Sequence, residues 1–281
     1  MSWAAVAKKD FQDAARSKAL WALAALFVLF MAGAAWLYTE IQSGGQGGEL
    51  AAIDLLFFLL SPAAFVVPIT GLVIGHKAIA GELESGSAKF LLSLPHTRRD
   101  AVLGKVAGRG GVIAAAIVVG LVAAAIVTLV RYDTFDATAY LGFSLLTILL
   151  GVTYTAIGVG LSAATKRSGR ATILALVFFV VFEVGWGLVT SGIYYLSTGS
   201  LVPGIDTAPP EWYLLMNRVP PSAAFTNAVY QFLPGNGTIV AQLFPQNPPI
   251  YLSKWAALAT LLVWLVVVPA LGYYRFRGMD L

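Results

Sequence analysis

The chain has 281 residues, of which 58% are hydrophobic and only 11% are Asp, Glu, Lys or Arg, against roughly 25% charged residues in a soluble domain. That balance excludes an ordinary water-soluble globule, and the absence of cysteine excludes disulfides and thiolate metal sites. The net charge of +4 follows from where Lys and Arg flank apolar runs, so nucleic-acid binding is not needed to explain it.

Residues 1–18 place Trp3, Val6, Ala7, Phe11, Ala14 and Ala15 at helical spacing, with Lys8, Lys9, Gln12, Asp13 and Arg16 off that stripe. The pattern predicts an amphipathic interfacial helix on the cytoplasmic membrane surface, its basic side toward anionic membrane lipid. A frayed basic tail that only sets topology is the alternative. Because 18 polar and amphipathic residues precede a full-length apolar run, no cleaved signal peptide is expected.

A hydrocarbon core of about 30 Å takes roughly 20 apolar helical residues to cross. Six stretches qualify: 19–38, 55–75, 110–130, 139–164, 171–196 and 255–274. They are too continuous for barrel strands, so the fold class is all-α, a polytopic membrane protein with six transmembrane helices in a single domain over 1–281. Pro62 and Pro68 predict kinking of the second span. Gly71 and Gly75, with Gly151, Ala156, Gly158, Gly160 and Ser162 of the fourth, predict close helix contact within or between subunits.

Lys and Arg fix the orientation, because cytoplasmic segments retain them during insertion. The N-terminus, the 76–109 loop, the turn around Lys166, Arg167 and Arg170, and the C-terminus hold 15 of the 18. Both termini are therefore expected in the cytoplasm of a multi-pass cell-membrane protein. The 197–254 segment then lies outside; it holds nine of the 13 prolines and seven aromatic residues. Ser222 is placed to cap a short helix with Phe225, Val229, Phe232 and Leu233 on one face, ended by Pro234 and Gly235. Short helices resting at the outer interface are expected, or else an irregular loop anchored by aromatics.

The 81–105 stretch, GELESGSAKFLLSLPHTRRDAVLGK, is far longer than the 2 to about 8 residues that usually connect bundled helices. The second helix is expected to continue to about Glu84 and break at Ser85, Gly86 and Ser87. Phe90, Leu91 and Leu94 form a short apolar edge ended by Pro95. Thr97 with Asp100 three residues on has the form of an N-cap pair opening the helix of the third span. The stretch resembles the first cytoplasmic loop of ABC-2 type permeases, in residues Glu82, Glu84, Ser85, Gly86, Leu91, Leu92, Leu94, Pro95, Arg98, Arg99, Gly104 and Lys105. The amphipathic start, six spans and late external insert are similar to that family too, in particular to its NosY-like branch.

The resemblance implies that the loop is a coupling helix seated in a groove of a separate ATP-binding subunit. Phe90, Leu91 and Leu94 would fill the groove, and Glu82, Glu84, Arg98 and Arg99 would orient it by charge pairing. It implies two ATP-binding subunits and a second permease copy or homologue, since six spans make half a path. The function it implies is outward movement of a substrate by alternating access, with no catalysis by this chain. The chain has no phosphate-binding GxxxxGK[ST] loop: Arg99 and Val106 occupy two required positions around Gly104-Lys105. ATP and magnesium are thus expected on the partner and no cofactor here.

Glu183 lies mid-span in VVFEVGWGL, where an ionised carboxylate costs at least about 2.5 kcal/mol. It either lines a polar translocation path or is hydrogen-bonded to Thr, Tyr or Trp of a neighbouring helix. His76 and His96 sit at loop edges without a second ligand, so no metal site is expected. A lipid- or protein-handling subunit that relays force without a solute channel remains an alternative. An intramembrane enzyme or a stand-alone secondary transporter fits less well, for want of convergent polar groups or of an internal repeat.

Overall fold

A computed structural model describes residues 3–16, 18–43, 52–86, 97–204, 209–233 and 249–280. Among these residues the secondary structure is all helical. The long helices are α2 (Lys18–Ser43), α3 (Ala52–Gly75), α5 (Arg98–Arg131), α6 (Ala137–Ala163) and α11 (Lys254–Arg277). Each of these five is long and apolar enough to cross a membrane, and a sixth crossing results if the bent pair α7 (Ser168–Phe179) and α8 (Trp186–Thr198) counts as one span. The shorter helices are α1 (Trp3–Ala15), α4 (Ala80–Glu84), α9 (Glu211–Met216) and α10 (Pro221–Phe232).

Glycine sets the closest approaches. Gly71 and Gly75 of α3 face Tyr154, Thr155 and Gly158 of α6, where a Cβ on Gly71 would stand 2.8 Å from Tyr154 Cβ. The close contact expected of these small residues is thus made within one chain. Gly160 of α6 meets Gly272 of α11 backbone to backbone, and Gly120 of α5 receives the Phe27 backbone of α2. With no hydrophobic drive between helices in lipid, such van der Waals contact is what holds a bundle together. Leu55, Leu59, Ile117, Phe143, Tyr154 and Phe225 fill the core between these helices.

The two ends of the bundle differ. At one end Glu84 meets Ser168, Arg98 meets Phe276, and Lys166 reaches the Asp280 carbonyl. Trp3 lies at this end too, against Gly104. At the other end Arg131 pairs with Glu40 at 2.9 Å, Arg218 reaches the Leu252 carbonyl and Trp264 donates to Val219 O at 2.7 Å. The N-terminal helix and the end of α11 therefore share one face of the bundle.

The 171–196 run and the start of α10 differ from the sequence expectation. The 171–196 run is not one helix: a π-turn at Val180–Val184 closes with Gly185 N donating to Val180 O, and α7 and α8 are bent by 54°. One extra residue in a turn displaces every later side chain, and π-turns of this kind concentrate at functional positions. Helix α10 packs among α3, α6 and α11, with Phe225 and Val229 fully buried. Its N-cap is Pro220 with Pro221 at the first helical position, so Ser222 lies inside the first turn and its hydroxyl is not spent on capping.

Helix α1 packs on α5. Trp3 and Val6 lie against Gly104, Ala7 and Asp10 against Gly108, and Phe11 against Gly111. The two helices advance together, so α1 lies lengthwise along the start of α5. At 34 residues α5 is about 51 Å long, some 20 Å more than a hydrocarbon core requires. The surplus supplies the docking strip for α1.

Candidate functional site

The strip between α1 and α5 carries a buried charge cluster. Lys105 is only 5% exposed, and its ammonium donates to Asp10 Oδ1 at 2.7 Å and to Glu82 Oε1. Asp10 is also inward, 6% exposed, and its second oxygen lies 2.8 Å from Arg109 Nε. Two carboxylates and two cations make the cluster neutral, which is the condition for keeping charge out of water. It joins α1, α4 and α5 at the point where the chain leaves for 87–96.

The other side of that segment is fastened as well. The Thr97–Asp100 N-cap pair is present as a capping box: Asp100 N donates to Thr97 Oγ1 at 3.1 Å, and Thr97 N donates to Asp100 Oδ2 at 3.0 Å. One turn of helix then aims Arg98 at the end of α11, where its Nη1 donates to the carbonyls of Phe276, Arg277 and Met279 at 2.6 to 2.9 Å. The guanidinium also lies 5.3 Å from the centre of the Phe276 ring.

The residues that the resemblance assigns to ATPase coupling therefore occupy different environments. Phe90, Leu91, Leu94 and Pro95 lie outside the described residues, as does His96. Glu82 is half-buried on Lys105. Glu84 is exposed and accepts from Ser168 N at 3.0 Å, at the start of α7. Hydrogen bonds from the Ser168 side chain and backbone hold its carboxyl below the usual carboxylate range. Ser85 closes α4 by donating to Glu82 O, and Gly86 leaves in the left-handed region at φ 77°, a conformation that disfavours L side chains. Arg99 is exposed at the mouth of an apolar groove of about 710 Å³ between α5 and α11, beside Trp3 and Tyr273. Lys105 is buried against the carboxylates of Asp10 and Glu82.

A second site lies at the bend between α7 and α8. Glu183 sits on the π-turn and accepts a hydrogen bond from Tyr154 Oη of α6. It also lines a cavity of about 360 Å³ with Ser61, Trp186, Asn217, Ser222 and Thr226. The walls are fixed by aromatic packing, Phe182 stacking on Trp186 at 5.1 Å and meeting Trp264 edge-on at 5.0 Å. Trp186 Nε1 donates to Met216 O at 2.7 Å, and Thr190 donates to Asn217 Oδ1 at 3.2 Å, which ties the end of α9 to the bend. The hydrogen bond foreseen for Glu183 to a tyrosine on a neighbouring helix is present.

Asp10, Tyr154 and Ser222 were not singled out by sequence as site residues. The glycines of α5 at 104, 108 and 111 were the available signal for Asp10, because small residues at that spacing mark a helix docking face. Among the described residues no cluster of three or more His, Asp or Glu could hold a metal ion.

The architecture is that of a polytopic helical membrane protein, with five helices long and apolar enough to cross a membrane, or six if the bent pair counts as one. The chain belongs to the ABC-2 family transporter proteins, whose family model matches residues 4–281. It is 29% identical over 276 residues to a protein named "Probable ABC transporter permease protein NosY" from Pseudomonas aeruginosa, covering 97% of this chain and 96% of that one. It is also 29% identical over 278 residues to the protein of the same name from Stutzerimonas stutzeri, with the same coverage. This chain is accordingly a membrane subunit of an ABC transporter.

Proposed function

We propose that this chain is the permease half of an ATP-driven exporter of the cell membrane, moving its substrate outward by alternating access. Two copies of a separate ATP-binding subunit carry ATP and magnesium, and a second permease copy or homologue completes the path. The observation that carries the reading is the double fastening of 87–96. Force applied there by nucleotide-driven closure passes through Glu82, Lys105 and Asp10 into α1, α3 and α5, and through Arg98 into α11. A lever needs rigid attachment on both sides, because a loosely tethered loop would dissipate the stroke in local motion. Glu84, bonded to the start of α7, extends the linkage to the helix that leads up to Glu183.

The Glu183 cavity is the proposed stretch of the translocation path. Ser61, Asn217, Ser222 and Thr226 offer hydrogen bonds to a cargo, and the π-turn beside them is where a span can change its bend without breaking many backbone bonds. Both termini, α1 and 87–96 are cytoplasmic in this reading, supported by the distribution of Lys and Arg.

Association with the co-expressed ATP-binding subunit, compared between wild type, Leu91→Asp and Glu84→Ala, tests the coupling assignment. Loss of association in Leu91→Asp, with weakened coupling in Glu84→Ala, is expected; unchanged association and ATPase coupling in both would refute it. Glu183→Gln keeps an acceptor for Tyr154 and should fold normally while altering substrate-stimulated ATPase turnover. Unchanged stimulation would leave Glu183 a structural residue.

A further inference from the structure

A recess of about 610 Å³ lies at the charged end of the bundle between the α6–α7 turn and the end of α11, lined by Lys166, Arg167, Arg170 and Arg275 with Thr165 and Tyr274. None of its lining residues is a carboxylate. Lys166 reaches the Asp280 carbonyl, and Arg167 lies near enough to Glu84 to act on its carboxyl. Arg170 and Arg275 make no ion pair among the described residues. Four cations gathered from two distant parts of the chain form an anion site by Coulomb attraction alone.

Its depth selects the anion. Arg170 stands immediately before the apolar run 171–196, and Arg275 immediately after 255–274. Above each cation, one and two turns along the same helix face, the surface is apolar and open. On α7 these residues are Leu174 and Val177, 38% and 52% exposed; on α11 they are Leu271 and Val267, 64% and 44% exposed. A polycationic hollow at the edge of the hydrocarbon, continued by two apolar stripes, matches a molecule with an anionic head and two acyl chains. We infer that this recess binds an anionic phospholipid of the adjacent leaflet, the phosphate held by Arg170 and Arg275 and the tails laid along α7 and α11. A protein partner is the less favoured occupant, because these cations stand at the ends of two apolar runs, beside exposed aliphatic side chains that acyl tails would cover. The inference is independent of the transported substrate.

Native mass spectrometry of the purified full-length protein titrated with phosphatidylglycerol or phosphatidylcholine tests it. Phosphatidylglycerol should bind in preference, and Arg170→Gln/Arg275→Gln should weaken it by roughly thirtyfold, at about 1 kcal/mol for each cation near an anionic lipid. Lys8→Gln/Lys9→Gln, which removes the same charge from the exposed face of α1, should leave the affinity unchanged. Equal binding of the two lipids, or equal loss in both double variants, would overturn the inference in favour of unspecific attraction. Loss of ATP-binding subunit association without loss of lipid would overturn it in favour of a protein contact. Should the double glutamine variant fail to fold, Leu174→Cys bearing a bimane label in the otherwise unaltered chain gives the same decision. Tail-brominated phosphatidylglycerol in mixed vesicles should quench it at a lower mole fraction than brominated phosphatidylcholine, and equal quenching refutes the site.

Discussion

Removing the Lys105 ammonium isolates the role of the buried charge cluster. At 2.7 Å and an effective dielectric constant near 20, the gross attraction between Lys105 and Asp10 is about 6 kcal/mol before the cost of desolvating both. In Lys105→Met the cluster changes from neutral to a net charge of −1, and Asp10, whose side chain is 5% exposed, keeps only Arg109. Breaking a buried pair in this way costs about 3–5 kcal/mol. The lower figure applies, because the Glu82 side chain is 33% exposed and can turn to water. The loss falls first on the docking of α1, which is joined to the rest of the bundle chiefly through this strip. Since the chain has no cysteine, Val6→Cys is a unique label under α1, at a position 5% exposed in the native fold. Its reaction with a water-soluble maleimide reports local opening of that helix. A change of about 3 kcal/mol corresponds to roughly a hundredfold faster labelling in Lys105→Met. Adding Asp10→Leu should recover a large part of that, since an apolar pair replaces the uncompensated carboxylate. Labelling within threefold of wild type in Lys105→Met, or no recovery in the double variant, would refute the assignment.

Gly272→Ala sets a Cβ against the Gly160 backbone, which has no side chain to move aside, so destabilisation of about 1–3 kcal/mol or more is expected in thermal unfolding in detergent. Gly33→Ala, where a Cβ meets nothing within 4 Å, should instead be neutral or stabilising. Arg98→Met removes the donor to three carbonyls at the end of α11 and should release amide protection over 276–280 by about 1.5 kcal/mol in hydrogen exchange. Glu84 has its carboxyl lowered from the ordinary value of 4.5 by Ser168, so its contribution is complete above that pH and fades as pH falls through the lowered value. The stability difference between wild type and Glu84→Gln should therefore shrink on acidification below about pH 4.5, as measured by unfolding across pH 3–7.

The long helices were legible because their signal is local. Apolar runs predicted 55–75 and 139–164 where the structure has Ala52–Gly75 and Ala137–Ala163, and Thr97 with Asp100 marked the start of α5 well before the apolar run at 110. The bend at Glu183 was not legible, since the run stays apolar on both sides of that one residue and no proline marks it. Nor was the position of α10: its apolar face reads the same whether it rests on a headgroup layer or fills a gap between spans. Asp10 was hidden for another reason. In a basic amphipathic segment one acid reads as solvated, and only a partner 95 residues away shows that it points inward.

The 95 residues that separate Asp10 from Lys105 also set a schedule for biosynthesis. At about 5–20 residues per second a ribosome needs roughly 5–20 seconds to extend the nascent chain from one to the other. Through that interval α1 exists without its docking strip, while two apolar helices have already been synthesised. The N-terminal helix thus completes its fold only after the strip that opens α5 has been made, and closes on it as a late clasp.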